Sequence, residues 1–224
     1  TAFAPTLYFF TPIAAFAGGV IAFFMVYCLS WKGGLSPMRI ILTGVAVNSL
    51  FTGLSSALNS MSGGNRTGVA AIVEANITQK TWDDVMTLLP YVIAGLFLAM
   101  LFTQECNLLS LEDKTVRSLG VNVNVTRIVI SLVAVLLASI STAVAGAISF
   151  LGLIVPHIGR ILVGSDHKML LPFSAISGAF TFLLADTIGR TIAAPNEVSA
   201  AVIMSVVGGP FFILLLRRAG KYGK

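Results

Sequence analysis

Gly146-Ala147-Ile148-Ser149-Phe150-Leu151-Gly152-Leu153-Ile154-Val155-Pro156-His157-Ile158-Gly159-Arg160 runs on through Gly164-Ser165-Asp166-His167-Lys168 to Pro172. Two apolar segments meet here at a Gly-rich corner, and the second carries a Pro and a His before a basic, polar turn. A soluble core helix seldom combines so many helix breakers with so much apolar surface. In a bilayer the combination is tolerated, because neighbouring helices satisfy the backbone groups that Gly and Pro set free. The stretch therefore predicts closely packed membrane helices, and the chain is read outward from it.

Composition agrees. Of 224 residues 56% are hydrophobic and 10% charged, and the mean hydropathy is +0.93. Soluble domains carry about 25% charged residues, and a soluble apolar bundle would have too few charges to cover its surface. Seven apolar runs are bounded by charges, Gly/Pro clusters and polar turns: about 10–30, 38–61, 84–103, 126–147, 150–163, 170–192 and 198–216. Most reach the ~20 residues a crossing helix needs; the fifth is short and requires a thinned or protein-lined region. The segment 62–81 is polar and does not span, and 104–125 is a charged connection. The expected fold is all-α and polytopic, one membrane domain over residues 1–224.

With seven crossings the loops alternate between two sides. One side holds Lys32, Arg39, Lys114, Arg117, Arg127, Arg160, Lys168, Arg217, Arg218, Lys221 and Lys224; the other holds Arg66, Lys80 and Arg190. Basic residues are retained in the cytoplasm, so the rich side, including the C-terminus, is expected inside the cell membrane. The net charge of +5 is a topology signal rather than a nucleic-acid footprint.

The sequence has no Gly-x-x-x-x-Gly-Lys-Ser/Thr loop, no Gly-x-Ser-x-Gly elbow and no His-Glu-x-x-His pair. No catalytic residue, resident metal or bound cofactor is expected in this chain. Cys28 and Cys106 are far apart and lack metal-type spacing, which points to packing. His157, inside an apolar run, is read as a packing residue before it is read as a ligand. Asp186 and Arg190 stand at i and i+4 and are expected to pair, since charges in a span need partners.

The stretch 146–172, with its Leu-Gly-Leu-Ile-Val-Pro-His-Ile-x-Arg core and following Gly-x-Asp-His-Lys-x-Leu-Leu-Pro, resembles the FecCD-type permeases. These are the membrane subunits of ABC importers for iron-siderophores, haem and cobalamin. Leu35-Ser36-Pro37-Met38-Arg39-Ile40-Ile41-Leu42-Thr43-Gly44-Val45-Ala46 is similar to a family helix start. Asn107-Leu108-Leu109-Ser110-Leu111 and Thr115-Val116-Arg117-Ser118-Leu119-Gly120-Val121-Asn122-Val123 resemble its cytoplasmic connector. Ala185-Asp186-Thr187-Ile188-Gly189-Arg190 and Gly208-Gly209-Pro210-Phe211-Phe212 match the end of the pattern. Single motifs of this kind are weak; the ordered set is specific.

The resemblance implies a fold of roughly ten crossing helices, of which about seven are expected here, with the family's early helices preceding Thr1. It implies a second permease copy or paralogue, ABC ATPase subunits that hold ATP and Mg, and an extracytoplasmic substrate-binding protein. It also implies that 105–125 is a coupling segment, with Arg117, Ser118, Leu119, Gly120 and Val121 meeting the ATPase. Asp166, His167 and Lys168 are candidates for a cytoplasmic contact. Two departures fall near the expected outer mouth: Ile72-Val73-Glu74-Ala75-Asn76 in place of Trp-x-Met-Gly-Ser, and Glu197-Val198-Ser199-Ala200-Ala201 in place of Glu-x-Pro-x-Gly. Glu74 and Glu197 are accordingly candidates for a gate or for docking the binding protein. The chelate, ferric siderophore or haem with cobalamin as the alternative, is not specified by these residues. An ATP-independent secondary transporter, which would be expected to carry ionisable residues in its spans, and a non-transporting scaffold stay open on composition alone.

Overall fold

The computed structural model describes residues 4–30, 37–61, 80–192 and 194–219. Among these the chain is helical without strands: α1 (Ala4–Ser30), α2 (Pro37–Met61), α3 (Trp82–Leu101), α4 (Thr103–Leu108), α5 (Asp113–Ser118), α6 (Val123–Ala145), α7 (Leu151–Val163), α8 (His167–Ile192) and α9 (Ala200–Ala219). The expected all-α class is what is found.

Several helices begin earlier than the apolar runs, and in three of them a side chain explains why. Asp84 Oδ2 accepts the Thr81 N–H at 2.7 Å and the Thr81 hydroxyl at 3.1 Å, which starts α3 before its apolar residues. Asn122 starts α6: its Oδ1 accepts the Val125 N–H at 3.4 Å and its carbonyl accepts Thr126 N at 3.0 Å. Asp166 starts α8 by accepting the Lys168 N–H at 3.0 Å. Short polar side chains of this kind satisfy the N–H groups that an opening helix leaves bare. The charged connection 104–125 is largely helical too, resolving into α4 and α5.

Among the described residues four helices are long and apolar enough to cross a membrane: Ile13–Ser30 within α1, then α3, α6 and α8. Only 6% to 11% of the residues in those windows are buried within the chain, so lipid or protein neighbours must cover the remainder. The shorter α7 and Ala200–Leu215 of α9 are apolar as well. Pro90, Pro156, Pro172 and Pro210 lie inside α3, α7, α8 and α9, as the sequence pattern predicts for helices supported by lipid and neighbours.

Many hydroxyls along the helices are turned back on their own backbone, although Ser30 and Ser174 are buried without a partner. In α8, Ser177, Thr181, Thr187 and Thr191 donate to the carbonyls of Phe173, Ser177, Leu183 and Thr187 at 2.6–2.9 Å. Thr52 and Ser56 in α2, Ser141 in α6 and Ser205 in α9 do the same.

The chain divides into two compact units. The first takes its described residues from Thr1–Glu74, Lys80–Leu96 and Ser131–Gly146; within it α1 packs against α2, and Val47 and Ile140 are buried. The second takes its described residues from Phe97–Ile130 and Ala147–Lys224. Here α7 and α8 form a hairpin joined by α9, with α4 laid against α8. Its core is Ile154 of α7, Ala185 of α8, and Ala200 and Met204 of α9, flanked by Ile148, Phe150, Phe182 and Phe211.

Candidate functional site

The second unit carries the residues that the sequence singles out on the basic side of the chain. In α5 the side chains divide sharply. Val116 is fully buried, as is Val123 at the start of α6, whereas Arg117, Ser118 and Gly120 are exposed and Leu119 is 60% exposed. These residues belong to the charged connection between spans, where water is the competing solvent. Burying each valine there contributes roughly 1.5–3 kcal/mol, a driving force that is missing between helices inside lipid. A short helix with one buried anchor and an outward apolar residue is suited to fit a partner's groove.

The end of α5 is closed by a glycine turn. Gly120 has φ +80°, its N–H donates to the Arg117 carbonyl at 3.0 Å, and the Val121 N–H donates to the Val116 carbonyl at 3.4 Å. That pair of bonds is the Schellman arrangement, which needs a residue at positive φ. Ser118 Oγ donates to the Thr115 carbonyl at 2.7 Å, and Val121 is half-buried. At the other end, Arg127 Nη2 of α6 meets Asp113 Oδ1 at 3.1 Å. Replacing Gly120 with valine is expected to strain this turn by roughly 1–2 kcal/mol. Faster amide exchange over 116–121 in the purified protein would register it; unchanged exchange would show that the positive φ is dispensable.

The second cluster joins α4 to the turn between α7 and α8. Asn107 Nδ2 donates to Asp166 Oδ1 at 2.8 Å, and Asn107 Oδ1 accepts the His167 N–H at 2.9 Å. The same Oδ1 lies 2.6 Å from His167 Nδ1. An amide oxygen can only accept, so Nδ1 is the protonated nitrogen of that ring. The Asn107 amide, followed by the Lys168 N–H, holds the Asp166 carboxyl below the usual carboxylate range. The contribution of the ionised form is present above the ordinary carboxylate pKa and is lost as pH falls through the lower folded value. Lys168 is exposed. Asn107 belongs to the connector motif, but nothing in its sequence context marks it as the partner of residues 59 and 60 positions away.

Other candidates lie apart from this region. Arg190 Nε donates to Asp186 Oδ2 at 2.7 Å, pairing one turn apart near the end of α8. Glu197 is exposed in the connection to α9. It lies upstream of the first turn, where the Ser199 carbonyl accepts the Val202 and Ile203 N–H groups. Glu74 falls outside the described residues. His157 packs edge-on against Phe211, ring centroids 5.9 Å apart. Among the described residues no group of His, Cys, Asp and Glu could hold a metal ion. Burial, with Glu105 adding to it, raises the Cys106 thiol pKa, so that thiol is a poor nucleophile.

A sequence model of the FecCD transport family matches residues 1–218. The chain is 38% identical over 212 residues to the "Iron(3+)-hydroxamate import system permease protein FhuG" of Bacillus subtilis (strain 168), covering 94% of this chain and 63% of that protein. It is likewise 38% identical over 214 residues to the "Probable heme-iron transport system permease protein IsdF" of Staphylococcus aureus (strain Newman), covering 96% and 64%. The chain thus spans somewhat under two thirds of the length of these curated relatives. In fold it is similar to a solved structure titled "An inward-facing conformation of a putative metal-chelate type ABC transporter", with TM-score 0.75, 23% identity, and 94% of this chain and 72% of that one covered.

Proposed function

The chain belongs to the FecCD transport family, and on that premise we propose that it is the membrane permease subunit of an ABC importer for an iron chelate, a ferric siderophore or haem. The substrate class is supported by the names of the relatives, one for iron(3+)-hydroxamate and one for haem-iron. One observation supports the mechanism: Arg117 of α5 and Leu119 at its C-terminal cap are exposed on a helix held from beneath by Val116.

In this mechanism the chain is not itself an enzyme. ATP and Mg sit on separate ATPase subunits, and their closure displaces the coupling segment 105–125. The core of α7, α8 and α9 then moves as a packed body, because a close-packed core transmits displacement rather than absorbing it. A second copy or paralogue completes the path, and an extracytoplasmic binding protein delivers the chelate, with Glu74 and Glu197 as docking or gating candidates. The basic loops and the C-terminus face the cytoplasm. A bulky chelate needs a path that binds it weakly, which accords with the small number of charged residues in the spans.

The test is uptake by vesicles holding the assembled complex, offered labelled ferric hydroxamate, haem and cobalamin in turn. ATP-dependent accumulation of an iron chelate is expected. Uptake that follows an ion gradient and ignores ATP would overturn the reading, and uptake of cobalamin alone would overturn its substrate class.

A further inference from the structure

Displacement of α5 has two routes onward within the second unit. One passes through the Asp113–Arg127 pair and the Val116 and Val123 anchors into the start of α6. The other passes back along the chain into α4 and reaches the α7–α8 turn through the Asn107 side chain. Its main-chain carbonyl accepts both the Ser110 hydroxyl at 2.6 Å and the Ser110 N–H at 3.2 Å, closing the end of α4. Its amide then uses the oxygen for His167 and the nitrogen for Asp166.

We propose that Asn107 is a positioning residue of the transport cycle, joining the coupling segment to the α7–α8 turn so that movement of the segment is delivered to α8. This rests on the reading of 105–125 as the coupling segment. The chemistry is directional. Asp166 Oδ1 accepts from Asn107 and from the Lys168 N–H at the start of α8, so a pull on Asn107 acts on the first turn of that helix. α4 also lies against α8, and packing of that kind resists compression more than sliding; the three polar contacts of Asn107 fix register. Asparagine suits the position because it accepts and donates at once. An aspartate there would keep the acceptor for His167, lose the donor, and set a second carboxylate against Asp166.

The test uses the whole complex in vesicles. The unmodified complex is measured first: if it shows no ATP-dependent chelate uptake, the functional reading fails before Asn107 is addressed. If it transports, Asn107→Asp is expected to lower the chelate moved per ATP hydrolysed by about tenfold. Adding Asp166→Asn to that variant restores a donor facing an acceptor and is expected to recover most of the loss, which a general weakening of the fold would not do. An unchanged ratio in Asn107→Asp overturns the proposal, as does an assembled double variant with no recovery. Should Asn107→Asp fail to assemble, hydrogen exchange in the Asn107→Ala complex decides. The response to nucleotide is expected to persist at 110–121 and vanish at 164–170; a response that persists at both overturns the proposal.

Discussion

Leu119→Asp is expected to reduce ATP-driven uptake by about tenfold or more, while membrane insertion and thermal stability stay as in the unmodified protein. Leu119 is 60% exposed, so its replacement removes little from the interior, and the Val116 anchor that holds α5 in place is untouched. The loss falls on the proposed partner surface, where a few residues carry most of the binding energy and a charge buried without a partner is strongly unfavourable. A tenfold loss corresponds to about 1.4 kcal/mol, well within what one such residue contributes. The assay is chelate uptake beside ATP hydrolysis in the reconstituted complex, with a thermal-unfolding trace as control. Normal uptake at normal stability would remove Leu119 from the interface and leave α5 without its proposed role.

Gly208→Val is expected to damage the fold severely. A Cβ on Gly208 would lie on the side chain of Phe150, and Phe150 cannot easily yield. It stands at φ +64° immediately before α7 and packs on the core of Ile154, Ala185, Ala200 and Met204. Overpacking a core costs about 1–3 kcal/mol and occasionally more, against a total stability of roughly 5–15 kcal/mol. A lower unfolding temperature in detergent and a lower yield of folded protein are the measurements. Phe150→Ala should be less harmful in the Gly208→Ala background than alone, since the two side chains compete for one space. Strictly additive losses would mean that α9 moves aside instead.

The same contact shows where sequence reading reaches and where it stops. Gly146–Phe150 and Gly208-Gly209-Pro210 were each legible as special, because breakers inside apolar runs demand a supporting neighbour. That they support each other was not legible, since nothing in either string encodes a distance. The spans were readable from apolar length, and their early starts were missed at Thr81, Asn122 and Asp166 because hydropathy does not register a cap. In the connector, Leu119 and Gly120 stood out through the family resemblance, though not as an outward leucine and a turn glycine. Asn107 did not: an asparagine at the end of a short helix has many local uses, and only the folded chain brings it to Asp166 and His167.

The back-turned hydroxyls bear on how the chain enters lipid at all. Counted by letter, α8 is the least greasy of the four long spans, with mean hydropathy 1.5 against 1.9 to 2.5 for the others. Yet four of its five hydroxyls, all but the buried and unpartnered Ser174, have already found an acceptor one turn back, and a donor so occupied avoids the penalty of about 1–3 kcal/mol that an orphan would incur on leaving water. To the insertion machinery the segment therefore presents a smoother hydrocarbon rod than its spelling suggests, and serine-for-alanine exchanges along it would alter partitioning less than tabulated transfer scales imply.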